Sequence, residues 1–591
     1  MLIDHTLIML SHSTLFSEAW TTTSSHQHRS SSSSVLLKSA SASASTTDTI
    51  RTNDDDIPDL ILFNTKSRSK ESLKTIVPRK VSMYTCGPTV YDYAHVGNFR
   101  AFLTYDLVKR VLLYFGYDVT HICNLTDVDD KIINRANENK LPNGKISELT
   151  LKFENYFFQD LKALNVILAD KYPRATDHIP EMMDMILELA EKDLAYETDD
   201  GSWYFATSNK EGYGEQLVQL NRDEMEMSTK SVGNDMKRNY QDFALWKAYK
   251  ENVDREDATW ELPGKIQKGR PGWHVECSAM ARKYLGDTID IHGGGCDLQF
   301  PHHENEIAQS EGATGTTFCN CWVHNGFVNI NDEKMSKSLG NFLTLRTACP
   351  KPDDVRAFRF LIMSSQYQKQ LSYTSDGMVA SKRALKRIDK VMQQINDSIR
   401  TSDTTDTESD DQQKKSMLDN DVSKNLENFD KALLDDLSMP RASASLFSLI
   451  KIAENEFKRV KKAVAAADNN DDDDAKLDLI GLQNIQNAIL QMDKIFGIFY
   501  DVPLTKEEEE AAVAAAASED DNNNNNNNTD SNNNNMEVMN KVMDLVAKRT
   551  SAKESKDWDL ADSLRTRIVE LGFVVKDVKG GGDPIVTKIE S

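Results

Sequence analysis

The stretch VSMYTC-GPTVYDYAHVGN-FRAFLTYDLVKRVLLYFGY-DVTHICNLTDVDD, residues 81–130, decides the fold. Val81–Cys86 is a short β-prone run. A glycine-containing loop follows. Phe99, Phe102, Leu103, Leu107, Val111 and Phe115 then recur at helical spacing. Asp118 opens a second β-prone run. Strand, loop, helix and strand make a βαβ unit and predict a parallel sheet. His95, Gly97 and Asn98 fall where the loop meets the helix. A helix N-terminus carries unpaired N–H groups and partial positive charge, so it suits phosphate. Gly97 would let a ligand approach the backbone. A histidine there can also be a simple cap.

Outward from this unit, strand-like and helix-like segments alternate from Ile61 to about Ser375, the pattern of an α/β fold. The strand-like TIDIHGGGCDLQF (Thr288–Phe300) runs into three glycines, with Gly294 at their centre. These admit a flat ligand, and Asp297 can accept hydrogen bonds from a ribose. PHHENEIAQ (Pro301–Gln309) starts a helix on which His302 and Glu306 share a face at spacing four. His303 and Glu306, three apart, serve equally, and spacing leaves the choice open. GWHVECSAM (Gly272–Met280) adds Cys277. Cys86, Cys277 and the His/Glu pair have zinc-compatible chemistry, although no CxxC pairing accompanies them. KMSKSLGN (Lys334–Asn341) places Lys334 and Lys337 in a Ser/Gly-rich loop, where their ammonium groups can neutralise phosphate charge.

The 591 residues sum to a net charge of −23, but twenty acidic residues against three lysines in five polar runs carry most of it. Such blocks are solvated, so the net charge does not exclude a nucleic-acid partner. Seven cysteines are too few for a disulfide scaffold. No run of about 18 or more apolar residues exists, so no membrane partner is expected.

MYTCGPTVYDYAHVGN, NLTDVDDKIINRANEN, GWHVECSAM, DIHGGGCDLQFPHHENEIAQSE and KMSKSLGNF, in this order, resemble the cysteinyl-tRNA synthetases of bacterial type, a family of class I aminoacyl-tRNA synthetases. The resemblance covers about Ile61 to Asp501 and resumes near the C-terminus. It implies a Rossmann-like catalytic domain with an insertion, then a helical bundle and a small anticodon-binding domain. It implies one Zn2+ on Cys86, Cys277, His302 and Glu306, and so chooses His302 over His303. It puts Thr126 and Trp273 on the cysteine, and Gly97, His292, Gly294, Asp297 and Lys337 around ATP with its Mg2+. His95, Asn98, Lys334 and Lys337 are the expected phosphate contacts. The family's HIGH-type signature reads His95-Val96-Gly97-Asn98 here, with Asn in place of the second His. The partners implied are tRNA(Cys), ATP and L-cysteine; a monomer is expected, although the sequence does not give the oligomeric state.

The division expected along the chain is a serine-rich leader (1–57), the first catalytic half (58–145), an insertion (146–265), the second catalytic half with the zinc site (266–330), and the KMSKS and stem-contact region (331–375). The helical bundle (376–501), a low-complexity linker (502–535) and the anticodon-binding domain (536–591) follow. In the last, Lys548, Arg549, Lys553, Lys556 and Trp558 sit on an expected amphipathic helix suited to RNA. The closing VKGGGDPIVTKIES lacks the family's Gly-Thr-x-Trp. The acid-poor leader reads as a mitochondrial or plastid targeting segment, with the cytoplasm as the alternative. Two rival activities are a ligase joining cysteine to an amino-sugar inositol and a silent RNA-binding paralogue. The long helical region argues against the first, and the intact lysines and metal-type residues against the second.

Overall fold

The computed structural model describes residues 58–218, 236–251, 253–331, 333–334, 342–402, 416–466, 476–502 and isolated pieces beyond. The leader 1–57, Lys337, and the polar runs 403–415 and 467–475 lie outside the described residues.

Four strands form the central sheet: β1 (Lys80–Thr85), β2 (Asp118–Cys123), β3 (Ile289–Gly295) and β4 (Cys319–Asn325), in the order β4-β3-β1-β2. All pairings are parallel. The predicted βαβ unit is therefore present, with Lys80 opposite Asp118 and Thr85 opposite Cys123. Helix α1 (Val96–Tyr114) joins β1 to β2. Just past its end stands Gly116, whose φ of +86° favours glycine over residues with a Cβ. Helix α2 (Trp273–Leu285) precedes β3, and α3 (Glu304–Thr314) lies between β3 and β4.

The insertion between β2 and β3 carries an antiparallel five-stranded sheet, within residues 195–271. After the central sheet come the long helices α4 (Ser375–Ser402), α5 (Asp419–Leu434), α6 (Met439–Ala466) and α7 (Leu479–Phe496). They share one continuous hydrophobic core with the sheet, running from Leu60 to Ile498. The expected bundle is thus packed onto the catalytic half. The reason lies in α1, which is buried on nearly every side. Its Arg110 donates to the Lys494 carbonyl at 3.0 Å and its Tyr114 to Asp430 at 2.8 Å.

The chain divides into two compact units, Met1–Thr505 and Lys506–Ser591, so the break falls inside the expected linker. In the second unit, Leu564 packs on Leu545, and Phe573–Lys576 pairs antiparallel with Ile585–Lys588. The predicted helix there is seen only in fragments. Lys548, Lys553, Lys556 and Trp558 lie outside the described residues, and Arg549 is buried.

Candidate functional site

In an open parallel sheet, ligands bind beyond the carboxyl ends of strands where the connections diverge. Here β1 leads through α1 to β2 on one side, while β3 lies on the other. A cavity of about 530 Å³ opens between them. Cys86, Thr126, Trp273, Cys277 and His302 line it, together with His95, Gly97, Asn98, Asp297 and Phe342. Residues far apart in the chain therefore share one wall.

Four buried donors converge at one end. Cys86 follows β1, Cys277 sits on α2, His302 lies in the kinked turn before α3, and Glu306 lies in the first turn of α3. The two Sγ atoms are 4.0 Å apart. Cys277 Sγ is 3.5 Å from His302 Nε2, Cys86 Sγ is 3.6 Å from Glu306 Oε1, and His302 Nε2 is 3.0 Å from Glu306 Oε1. A tetrahedral zinc with Zn–S near 2.3 Å sets two sulfurs about 3.8 Å apart, and a sulfur and a nitrogen about 3.6 Å apart. The donors fit a metal ion.

A second grouping, Cys86, His292, His303 and Glu306, is equally compact, with all its donor atoms within 4.8 Å of one another. It has a single sulfur, and neither His292 nor His303 lines the cavity. Three of the four members of the first set do, so the first set suits a metal that meets a substrate. The others act as support. His292 Nε2 is 2.9 Å from Glu306 Oε2, and His303 Nδ1 is 2.7 Å from His324 Nε2. His274 Nδ1 is 2.8 Å from His302 Nδ1. If His302 ligates through Nε2, its proton sits on Nδ1 and is donated to His274.

Burial dominates the electrostatics. It pushes the Cys86 thiol well above its ordinary range. The Cys277 thiol is drawn down by its contact with Cys86, but burial and the nearby glutamates carry it up overall. Burial, with His274 and His292 nearby, drives His302 far below the usual imidazole range. It also raises Glu306, against the pull of His292. In each of these groups burial works against the charged form. A divalent ion would favour the ligating thiolates.

At the other end, His95 caps α1. Its Nδ1 accepts the Asn98 N–H at 3.1 Å, and Asn98 Oδ1 accepts the His95 N–H at 3.0 Å. Histidine as a cap and histidine as a phosphate donor prove compatible. With Nδ1 accepting, the proton of the neutral ring is on Nε2, which is then a donor. The His95 ring meets Phe342 edge-on at 5.2 Å, and Val96 N–H bonds the Leu343 carbonyl at 3.0 Å. Lys334 lies in the short strand Glu333–Lys334. The two described ends of the KMSKS loop are thus anchored, one in a strand and one on α1.

Two expected nucleotide residues are placed differently. His292 is fully buried behind Glu306, away from the cavity. A Cβ on Gly294 would come within 2.3 Å of His303 Cε1, so this glycine makes room for the protein's own imidazole. Gly295 and Asp297 do line the cavity. Sequence reading missed His274, Glu276 and Asn124. Thr126 donates to Glu276 Oε2 at 3.0 Å and accepts from Asn124 Nδ2 at 3.2 Å. Their only sequence signal was adjacency to Trp273, Cys277 and Thr126.

Residues 72–383 match the family model of the class I (C) tRNA synthetase catalytic domain. A cysteine–tRNA ligase of Chlamydia felis is 37% identical over 541 residues, spanning 91% of this chain and 100% of that protein. A cysteine–tRNA ligase of Leuconostoc citreum is 36% identical, spanning 88% and 98%. Among solved structures, methionyl-tRNA synthetase of Mycobacterium tuberculosis bound by methionyl-adenylate superposes with a TM-score of 0.53 at 14% identity, covering 71% of this chain and 92% of that one, which speaks to the fold. Because the identity runs through a relative's whole length and not through the catalytic words alone, the chain belongs to the cysteine–tRNA ligase family of class I aminoacyl-tRNA synthetases.

Proposed function

We propose that this cysteine–tRNA ligase works in two steps within the one cavity. The cysteine carboxylate attacks the α-phosphate of ATP. The bond to the β-phosphate breaks, and pyrophosphate leaves. A ribose hydroxyl at the 3′ end of tRNA(Cys) then attacks the cysteinyl carbonyl, and AMP leaves. The observation that carries this reading is a single cavity joining a two-sulfur metal-type cluster to a histidine-capped helix N-terminus.

Cys86, Cys277, His302 and Glu306 would hold one Zn2+. When bound, the ion supplies a strong bond to a thiolate and a poor one to a serine hydroxyl, a distinction no apolar pocket makes between near-isosteres. Thr126 and Trp273 flank the amino acid. His95 offers Nε2–H, and Gly97 the backbone of the α1 N-terminus, to the phosphates. Lys334 and Lys337 neutralise charge that develops there, with Mg2+ on the nucleotide. Asp297 receives the ribose. Asn98 does its work through the cap, which fixes the His95 tautomer. The serine-rich leader directs the chain to mitochondrion or plastid, and the enzyme acts as a monomer.

Cysteine-dependent exchange between ATP and pyrophosphate, followed by charging of tRNA(Cys), tests the reading. Both activities should vanish with a zinc chelator and return with zinc. Serine activation equal to cysteine activation in the zinc-loaded enzyme would overturn the role given to the metal.

A further inference from the structure

The tRNA acceptor end must reach the cysteinyl carbonyl, and its backbone then needs a receiving group. Among the described residues that line the cavity, Lys131 is the only lysine or arginine. It lies in the first turn of the helix Asp130–Glu138, five residues beyond Thr126, and its side chain is exposed. Neighbouring cations are already neutralised. Lys247 and Arg270 bond Asp130 at 2.5 and 2.8 Å, and Arg135 stands 3.7 Å from Asp92. Lys131 makes no ion pair within 4.0 Å among the described residues, although its charge acts on the nearby Asp129 carboxyl. Its Nζ instead sits 5.8 Å from the centre of the Tyr91 ring, another cavity residue.

An exposed, unpaired cation at the mouth of a cavity is matched to an anion that arrives from solvent. The ATP phosphates are assigned to the α1 N-terminus and the KMSKS lysines. Lys131 lies in the first turn of a different helix, after β2. The thiol end and the phosphate end leave the reacting carbonyl between them, so the acceptor ribose enters from the mouth. We propose that Lys131 binds a phosphodiester of the tRNA acceptor end, with Tyr91 beside it offering an aromatic face to an unpaired terminal base. This rests on the two-step reading above, and its specific claim is a contact used only in the second step.

The test uses the full chain, with Lys131→Ala and Lys131→Arg. In the Ala variant, kcat/KM for tRNA in aminoacylation should fall roughly tenfold, the loss of one charge-assisted contact. The slope of log(kcat/KM) against log salt should flatten by about one. Arg should restore most of the rate. Binding of tRNA shortened at its 3′ end should be the same for parent and Ala variant. Cysteine-dependent pyrophosphate exchange should change by less than about twofold, since no tRNA takes part. A parallel fall in exchange would move Lys131 to ATP or cysteine and overturn the proposal, as would unchanged aminoacylation. A parent chain without cysteine-dependent exchange would overturn the two-step reading itself, a result separable from any effect of Lys131.

Discussion

The indole of Trp273 lies flat on the imidazole of His302, with ring centres 4.0 Å apart and planes within 14° of parallel. A wall of the cavity therefore also fixes the ring of a metal-type donor. Cavity shape and the placing of one candidate ligand share this contact.

Trp273→Ala should raise the KM for cysteine on the order of tenfold, since stacking adds about 0.5–1.5 kcal/mol beyond area burial. Trp273→Phe should recover part of it. Pyrophosphate exchange at varied cysteine reads both. An unchanged KM in the Ala variant would remove Trp273 from the pocket.

Cys277→Ala removes one of the two sulfurs that stand 4.0 Å apart. Metal content should drop from about one zinc per chain to near zero. Cysteine activation should be lost with it. Elemental analysis of the purified protein beside the exchange assay decides this. Full zinc in the variant would favour the grouping with His292 and His303.

His274 does not line the cavity, yet its Nδ1 is 2.8 Å from His302 Nδ1. His274→Ala should weaken zinc binding by roughly 10–100-fold, the usual cost of losing an orienting partner. Competition with a chelator of known affinity measures it.

Arg359 is wholly buried and holds three elements together. It donates to Asp106 at 2.8 Å, to the Phe496 carbonyl at 2.8 Å and to the Leu164 carbonyl at 2.7 Å. Arg359→Met leaves those acceptors short of a donor, although Arg110 still reaches Asp106 at 2.8 Å. The loss should be about 3–5 kcal/mol. Urea unfolding followed by circular dichroism would register it as a lower midpoint.

Burial lifts the Asp493 carboxyl to about 6, against the pull of the Ile498 and Phe499 N–H groups. The unfolded chain releases that proton near pH 3.9. Between these values the folded state holds a proton that the unfolded state has lost. Its stabilising contribution is complete below the lower value and disappears as pH rises through about 6. The span corresponds to about 2–3 kcal/mol. Asp493→Asn should remove this slope. The difference between the parent and variant stability curves from pH 4 to 7 checks both sign and window.

The βαβ unit was legible because the helical period of Phe99 to Val111 and its flanking strands are local properties. The α1 cap could be read from His95 and Asn98, since a cap spans four residues. Both hydrogen bonds of that cap are present. The metal donors were legible only as residue types. Spacing could not tell His302 from His303, because both reach one helix face with Glu306.

Sequence by itself determined the local elements, the loop that meets α1 and the words that carry the family. Tertiary structure decided which distant residues touch. Cys86 and Cys277 lie 191 positions apart, and they meet because Cys86 leaves the end of β1, where α2 packs against that strand. His292 and Gly294 pack against Glu306 and His303 for the same reason, since those partners lie on a separate helix start. The helical region proved inseparable from the catalytic half because α1 buries Arg110 and Asp106 as well as its apolar residues. A buried charge needs partners, and here α7 and the helix Pro352–Met363 supply them. Such pairings depend on how separate elements pack, and local sequence does not encode them.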